Sequence, residues 1–84
     1  MNLQDLLYGV SIKSLKGMPQ VEATALTFDS RTVNPGTLFF AIRGTAADGH
    51  QFIIQTITAG ASVIVCVELP AELNELVTYV EVED

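Results

Sequence analysis

Thr37-Leu38-Phe39-Phe40-Ala41-Ile42 and Ala61-Ser62-Val63-Ile64-Val65-Cys66-Val67 decide the fold, because each run has strand length and is apolar on both alternating faces. Such runs form inner strands covered on both sides, the position of strands in a parallel sheet. The segment between them carries helix signals. Asp48 is suited to an N-cap, with Gln51 three residues later completing a capping-box arrangement. Ile53, Ile54 and Ile57 form an apolar stripe, and Gly60 suits the C-terminal end of a helix. Strand, loop, helix, strand is the order of a crossover unit, which normally builds a parallel pair.

Working outward, Pro35-Gly36 is a turn dipeptide feeding the first of these runs. Val21 to Phe28 is rich in Val, Thr, Leu and Phe and predicts a strand running into Asp29-Ser30-Arg31. Lys13 and Lys16, with Gly17 and Pro19, read as a polar link. Leu3, Leu6 and Leu7 fall at helical spacing, so Asn2 to Tyr8 predicts a short helix closed by Gly9. Downstream, Pro70 to Leu76 reads as a polar helical turn and Thr78 to Val82 as a last strand. With no repeat, low-complexity stretch or linker, residues 1–84 read as one α/β domain, a small mixed sheet flanked by helices.

Composition narrows the function. The 84 residues carry ten acids against four Lys or Arg, a net charge of -6, too few cations for the basic stripe that a phosphate backbone or an anionic membrane surface requires. Glu68, Glu72, Glu75, Glu81, Glu83 and Asp84 gather late in the chain, so an anionic ligand meets less repulsion toward the earlier residues. Cys66 is the single cysteine, so no internal disulfide forms, as suits a reducing cytosol. No basic segment followed by an apolar stretch opens the chain, and no apolar run reaches the ~18 residues of a membrane span. The expectation is a cytoplasmic protein without membrane insertion.

Gly44-Thr45-Ala46-Ala47-Asp48-Gly49 satisfies the G-x-x-x-x-G half of a phosphate-binding loop. The full motif continues with Lys, which reaches the terminal phosphates, and Ser or Thr, which reaches magnesium; here His50 and Gln51 follow instead. On these residues alone the loop is a strand-to-helix connection whose glycines permit tight turns. Backbone N–H groups at a helix start still attract polar ligands without a lysine. Asp29-Ser30-Arg31 places a hydroxyl and a guanidinium at a strand end; Asp29 and Ser30 bonding nearby backbone while Arg31 pairs with a carboxylate is as good a reading as ligand contact. No nucleophile elbow surrounds Ser30. One histidine, His50, with no second ligand at metal spacing argues against a metal site and leaves a capping or surface role. Arg43 can neutralise a phosphate or pair with an acid.

The whole string, Leu26 to Arg31, Val33 to Gly44, Asp48 to Ile53 and Gly60-Ala61, resembles the N-terminal domain of the Mur ligases of peptidoglycan synthesis. The order D-S-R, P-G, L-F-x-A, G and D-G-H is far more specific than any fragment of it, and it spans essentially the whole chain. Leu3-Gln4-Asp5-Leu6-Leu7 and Leu26-Thr27-Phe28-Asp29-Ser30-Arg31 look more like the branch that adds the third stem-peptide residue (MurE) than the branch that adds D-alanyl-D-alanine (MurF).

That resemblance implies a domain holding the uridine diphosphate end of a UDP-N-acetylmuramoyl-peptide. Phe28 and Ser30 match the strand-end residues that meet the uridine, and Thr45, Ala46 and Ala47 match the loop that closes on it, largely through backbone groups. It further implies ATP and Mg2+ as cofactors of the parent ligase, with none in this piece, no catalytic residue here, and the remaining ligase domains as partners in cis beyond Asp84. A freestanding interaction module without a small-molecule role is the reading from a different class.

Overall fold

The computed structural model describes residues 7–18, 21–41 and 49–83. Its centre is the pair anticipated from the two apolar runs. Strand β3 (Thr37–Ala41) lies parallel to β4 (Val63–Cys66), with Leu38 beside Val63 and Ala41 beside Cys66. Strand β2 (Ala25–Thr27) extends the sheet parallel to β3. On the other side β5 (Thr78–Val82) runs parallel to β4, and β1 (Ile12–Lys16) closes the sheet antiparallel to β5. The order is β1-β5-β4-β3-β2, a mixed sheet as expected. Because β2 to β5 all point the same way, their carboxyl ends share one edge, the place where open α/β sheets present ligand sites.

Alternation along the inner strands sends side chains to two cores. Phe39, Ala41, Ile64, Cys66 and Tyr79 face one side, where they meet Val33, Ile53, Ala61 and Val77, with Phe52, Ile57 and Leu69 packed against them. Leu38, Val63, Val65 and Val80 face the other, under Leu7 and Ala23. Each fully buried Leu, Ile, Val or Phe contributes about 1.5–3 kcal/mol. Cys66 belongs to the first core, as a small apolar residue. Burial, and then the charge of Glu81 on the neighbouring strand, pushes its thiol up to about 11.

The crossover from β3 to β4 starts later as an α-helix than its sequence suggested. Gly49–Phe52 forms a 3-10 turn, and helix α1 covers only Ile53–Thr58, entered at Phe52 with no side-chain cap bond. Asp48, the expected cap, lies outside the described residues. Ile53 and Thr56 are buried, and the Thr56 hydroxyl donates to the Ile53 carbonyl at 2.8 Å. Ile54, expected in the apolar stripe, is 77% exposed. On so short a helix only positions 53, 56 and 57 face the sheet, and the next residue along turns ~100° away.

Three other expectations change. The link containing Lys13 and Lys16 is strand β1, whose lysines are exposed and whose Ser14 and Lys13 meet Glu81 at 3.0 and 4.0 Å. It reads as polar because it is an edge strand, where charge blocks pairing with other chains. The strand drawn over Val21 to Phe28 contracts to Ala25–Thr27. Pro70 to Leu76 forms turns and bends rather than a helix. Residues 2–6 of the first predicted helix lie outside the described residues, while Gly9 has a φ of +83°.

Candidate functional site

The carboxyl edge is built first by the turn that follows β2. Asp29 caps the 3-10 turn Ser30–Thr32: its Oδ1 accepts from the Arg31 backbone N–H at 2.9 Å. The same carboxylate is gripped by the Arg31 side chain, Nε to Oδ1 at 3.0 Å and Nη2 to Oδ2 at 2.9 Å. The Arg31 side-chain hydrogen bond, followed by its backbone one, holds the Asp29 carboxyl below the usual range. Beneath this turn the Asp29 N–H donates to Thr27 Oγ1 at 3.0 Å, Thr32 Oγ1 donates to the Asp29 carbonyl at 2.9 Å, and the two threonine hydroxyls lie 2.6 Å apart. The cap and ion pair are therefore internal to the turn.

That division of labour separates the expected site residues. Asp29 and Arg31 fix the backbone, while Ser30 between them is half-buried and, among the described residues, no hydrogen bond holds its hydroxyl. Phe28 is 58% exposed at the end of β2. Its ring stacks on Phe40 with centroids 5.0 Å apart and planes at 26°. The β2–β3 register, Thr27 beside Phe39, carries Phe28 to the level of Phe40. The structure thus brings Phe28 and Ser30 to the same edge; Arg43 and the expected loop residues Thr45, Ala46 and Ala47 lie outside the described residues.

Two residues at this edge were not anticipated as organisers. Phe40 read only as part of an inner strand, and nothing local to it announces a ring partner twelve positions away. His50 read as a capping or surface residue, and it caps a different element. Its Nε2 accepts from the backbone N–H groups of Val67 at 3.1 Å and Glu68 at 3.2 Å. Strand β4 ends at Cys66, so these are donors that the sheet no longer satisfies. Accepting both requires Nε2 to be unprotonated. His50, Ile53, Glu68, Leu69, Pro70 and Ala71 line a cleft of about 270 Å³ beside this cap. A second, open cleft of about 340 Å³ lies between α1, residues 72–74 and Tyr79. Among the described residues no group of three His, Cys, Asp or Glu side chains is arranged to hold a metal ion.

Residues 22–83 match the sequence profile of a family described as the Mur ligase family, catalytic domain. The whole chain is 45% identical to the UDP-N-acetylmuramoyl-L-alanyl-D-glutamate–2,6-diaminopimelate ligase of Cytophaga hutchinsonii, of whose length it spans 18%. Among solved structures, the UDP-N-acetylmuramoylalanyl-D-glutamyl-2,6-diaminopimelate–D-alanyl-D-alanyl ligase of Acinetobacter baumannii aligns with a TM-score of 0.73 and 26% identity over 98% of this chain and 17% of its own. The MurF ligase of Thermotoga maritima, solved in complex with ADP, aligns with a TM-score of 0.63 and 25% identity over 76% of this chain and 14% of its own.

Proposed function

This chain belongs to the Mur ligase family, and from that premise we propose that it is the domain that holds the uridine diphosphate end of UDP-N-acetylmuramoyl-L-alanyl-D-glutamate. The complete ligase adds the third stem-peptide residue, diaminopimelate or lysine, in an ADP-forming reaction in the cytoplasm. The observation that carries this reading is the turn after β2: Asp29, Arg31, Thr27 and Thr32 satisfy one another, leaving the Ser30 hydroxyl and the Phe28 ring presented at the carboxyl edge. Phe28 and Ser30 would meet the uridine, with Thr45, Ala46 and Ala47 closing on it through backbone groups. The third-residue branch is preferred over the dipeptide-adding branch because the diaminopimelate ligase relative is 45% identical, against 26% for the dipeptide ligase structure.

The residues present do not fit ATP and Mg2+. The Gly44–Gly49 stretch is followed by His50 and Gln51, where a terminal phosphate and its metal would need Lys and then Ser or Thr. The nucleotide chemistry therefore belongs to the remainder of the ligase, and no bond-making step is assigned here. This chain alone is expected to turn over no ATP.

Uridine diphosphate should bind weakly, since immobilising a ligand costs roughly 4 kcal/mol or more and the muramoyl-peptide contacts lie in other domains. Titration followed by amide NMR tests the reading. Shifts should cluster at residues 28–31 and 44–50, adenosine diphosphate should bind more weakly, and Ser30→Ala should reduce uridine affinity while leaving the fold intact. Equal binding of the two nucleotides, or shifts elsewhere, would sink it.

A further inference from the structure

The open cleft between α1 and residues 72–74 has no part in the uridine reading. It is flanked by Ile54, Ile57 and Leu73 and reaches down to Tyr79. Ile54 is 77% exposed and Leu73 43%, while Leu76, two residues beyond Asn74, is 91% exposed. The two leucines stand on a turn that is tied from below. The Tyr79 hydroxyl accepts from the Asn74 N–H at 2.8 Å, the Asn74 side-chain oxygen accepts from the Leu76 N–H at 2.8 Å, and the Val77 N–H reaches the Asn74 carbonyl at 3.1 Å. Tyr79 is itself buried in the first core, so the turn is anchored to the sheet. Apolar surface held in water on an ordered turn is unfavourable, and a contiguous patch of it rimmed by polar groups marks a contact site.

The rim of the cleft is acidic. Glu72 and Glu75 stand on either side of Leu73-Asn74; both are exposed, and neither joins an ion pair among the described residues. No Lys or Arg occurs after Arg43. On β1, Lys13 meets Glu81, and Lys16 lies beside Tyr79 in register, one cation against two exposed acids. A second copy of this chain would set acid against acid at a net charge of -6 per copy. The cleft also lies toward the amino ends of the strands, since Thr58 ends α1 and residues 72–74 precede β5. The uridine reading gives the opposite edge to the substrate and to the ligase domains that complete its site.

We propose that this cleft docks a segment of a separate protein: an apolar side chain seated between Ile54, Leu73 and Tyr79, with Lys or Arg on its flanks meeting Glu72 and Glu75. Leu76 extends the apolar contact. Choosing a separate protein over the ligase's own domains rests on the uridine reading; the cleft, its leucines and its charge stand without it. The buried apolar anchor supplies the affinity, and the charged rim speeds approach and selects the partner.

The probe is a short amphipathic peptide of leucine and lysine, titrated into the 84-residue chain and followed by amide NMR, beside a leucine–glutamate peptide and an all-lysine peptide. Only the leucine–lysine peptide should bind, with shifts clustered at residues 54–58 and 72–76. Leu76→Ser, at a position too exposed to support the fold, should weaken binding about 5-fold or more and leave the urea midpoint unchanged. Glu72→Lys combined with Glu75→Lys should reverse the preference to the leucine–glutamate peptide. Equal binding of the all-lysine peptide, or shifts spread to Glu81 and Glu83, would reduce the surface to diffuse charge and overturn the proposal. Self-association of the chain through the same amides would overturn it in favour of a second copy. In the complete ligase, amide hydrogen exchange at residues 72–76 should be as fast as in this chain; protection there without an added partner would give the cleft to the ligase's own domains and overturn it too. Uridine diphosphate titrated into the same sample separates the two readings. Loss of nucleotide binding with the peptide shifts intact removes the uridine reading alone, and the exchange comparison then decides the occupant by itself.

Discussion

At the amino ends of the parallel strands glycines bring backbone close against backbone, with threonine hydroxyls tying the same turns, whereas at their carboxyl ends the described turns are held by side chains. Ahead of β4, Gly60 has a φ of +112°, and an added Cβ would lie 2.7 Å from Pro35 Cα; its carbonyl accepts from the Gly36 N–H at 2.9 Å. At the start of β5, a Cβ on Gly17 would meet Thr78 Cα at 2.9 Å, and the Thr78 hydroxyl bonds both the N–H and the carbonyl of Met18. The opposite edge has no such backbone contact among the described glycines. There Asp29, Arg31, Thr27, Thr32 and His50 do the tying. Close backbone packing leaves little room beside Gly17 and Gly60, while the turn after β2 leaves the Phe28 ring exposed.

Gly60→Ala should break the fold most severely. It adds strain at a left-handed φ and a clash with backbone that has no flexible end to yield, and we expect a loss of roughly 3 kcal/mol or more by urea unfolding, a large share of the ~4–12 kcal/mol typical of a chain this size. At the other edge His50→Ala should cost less, about 1–2 kcal/mol. It strips the acceptor from two N–H groups, but Glu68 is exposed and its N–H regains water. His50→Gln, which offers an amide oxygen, should recover part of the loss. Were the histidine change the costlier of the two, the division between edges would be wrong.

Smaller effects sharpen the contrast. Ser62, at the entry to β4, has its hydroxyl buried without a partner among the described residues. Ser62→Ala should therefore stabilise by about 0.5–1 kcal/mol, seen as a higher urea midpoint at unchanged slope. The smallest change concerns Asp29. Its carboxyl is depressed in the folded protein, so its contribution is present above the ordinary carboxylate range and is lost as pH falls through the lower folded value. Asp29→Asn keeps a capping oxygen and removes that titration. Unfolding of the variant should match wild type in strong acid and fall slightly short of it near neutrality. No gap at any pH would show that Asp29 acts only as a cap, which Asn preserves.

Much of the architecture was legible because buried parallel strands announce themselves: β3 and β4 are apolar on both faces, and little else of that length is. Strand β1 was not legible, since Ile12-Lys13-Ser14-Leu15-Lys16 is decided by pairing with β5, far away in sequence, rather than by its own pattern. Helix α1 was found but shortened, because Gly49–Phe52, which falls within the expected capping-box turn, forms a 3-10 turn and the α-helix begins only at Ile53. At the carboxyl edge, Phe28 and Ser30 were visible through the motif that contains them. Phe40 and His50 were not, because a ring stack and a cap on a foreign strand are properties of register, and register is not written in any local run of residues.

The position of β5 also constrains the order in which the chain can assemble. Ile12 pairs with Val82, and the Glu83 N–H reaches the Ser11 carbonyl at 3.0 Å, so the sheet is completed by residues near opposite ends of the chain. Moreover β5 is inserted between β1 and β4 rather than added outside them. On a ribosome, β1 emerges early and waits without a partner until residues 78–82 are released, while β4 keeps an open inner side. Long-range closure of this kind slows folding relative to helical domains of equal size. The lysines of β1 guard an unpaired strand during that interval, before they have any role in the finished sheet.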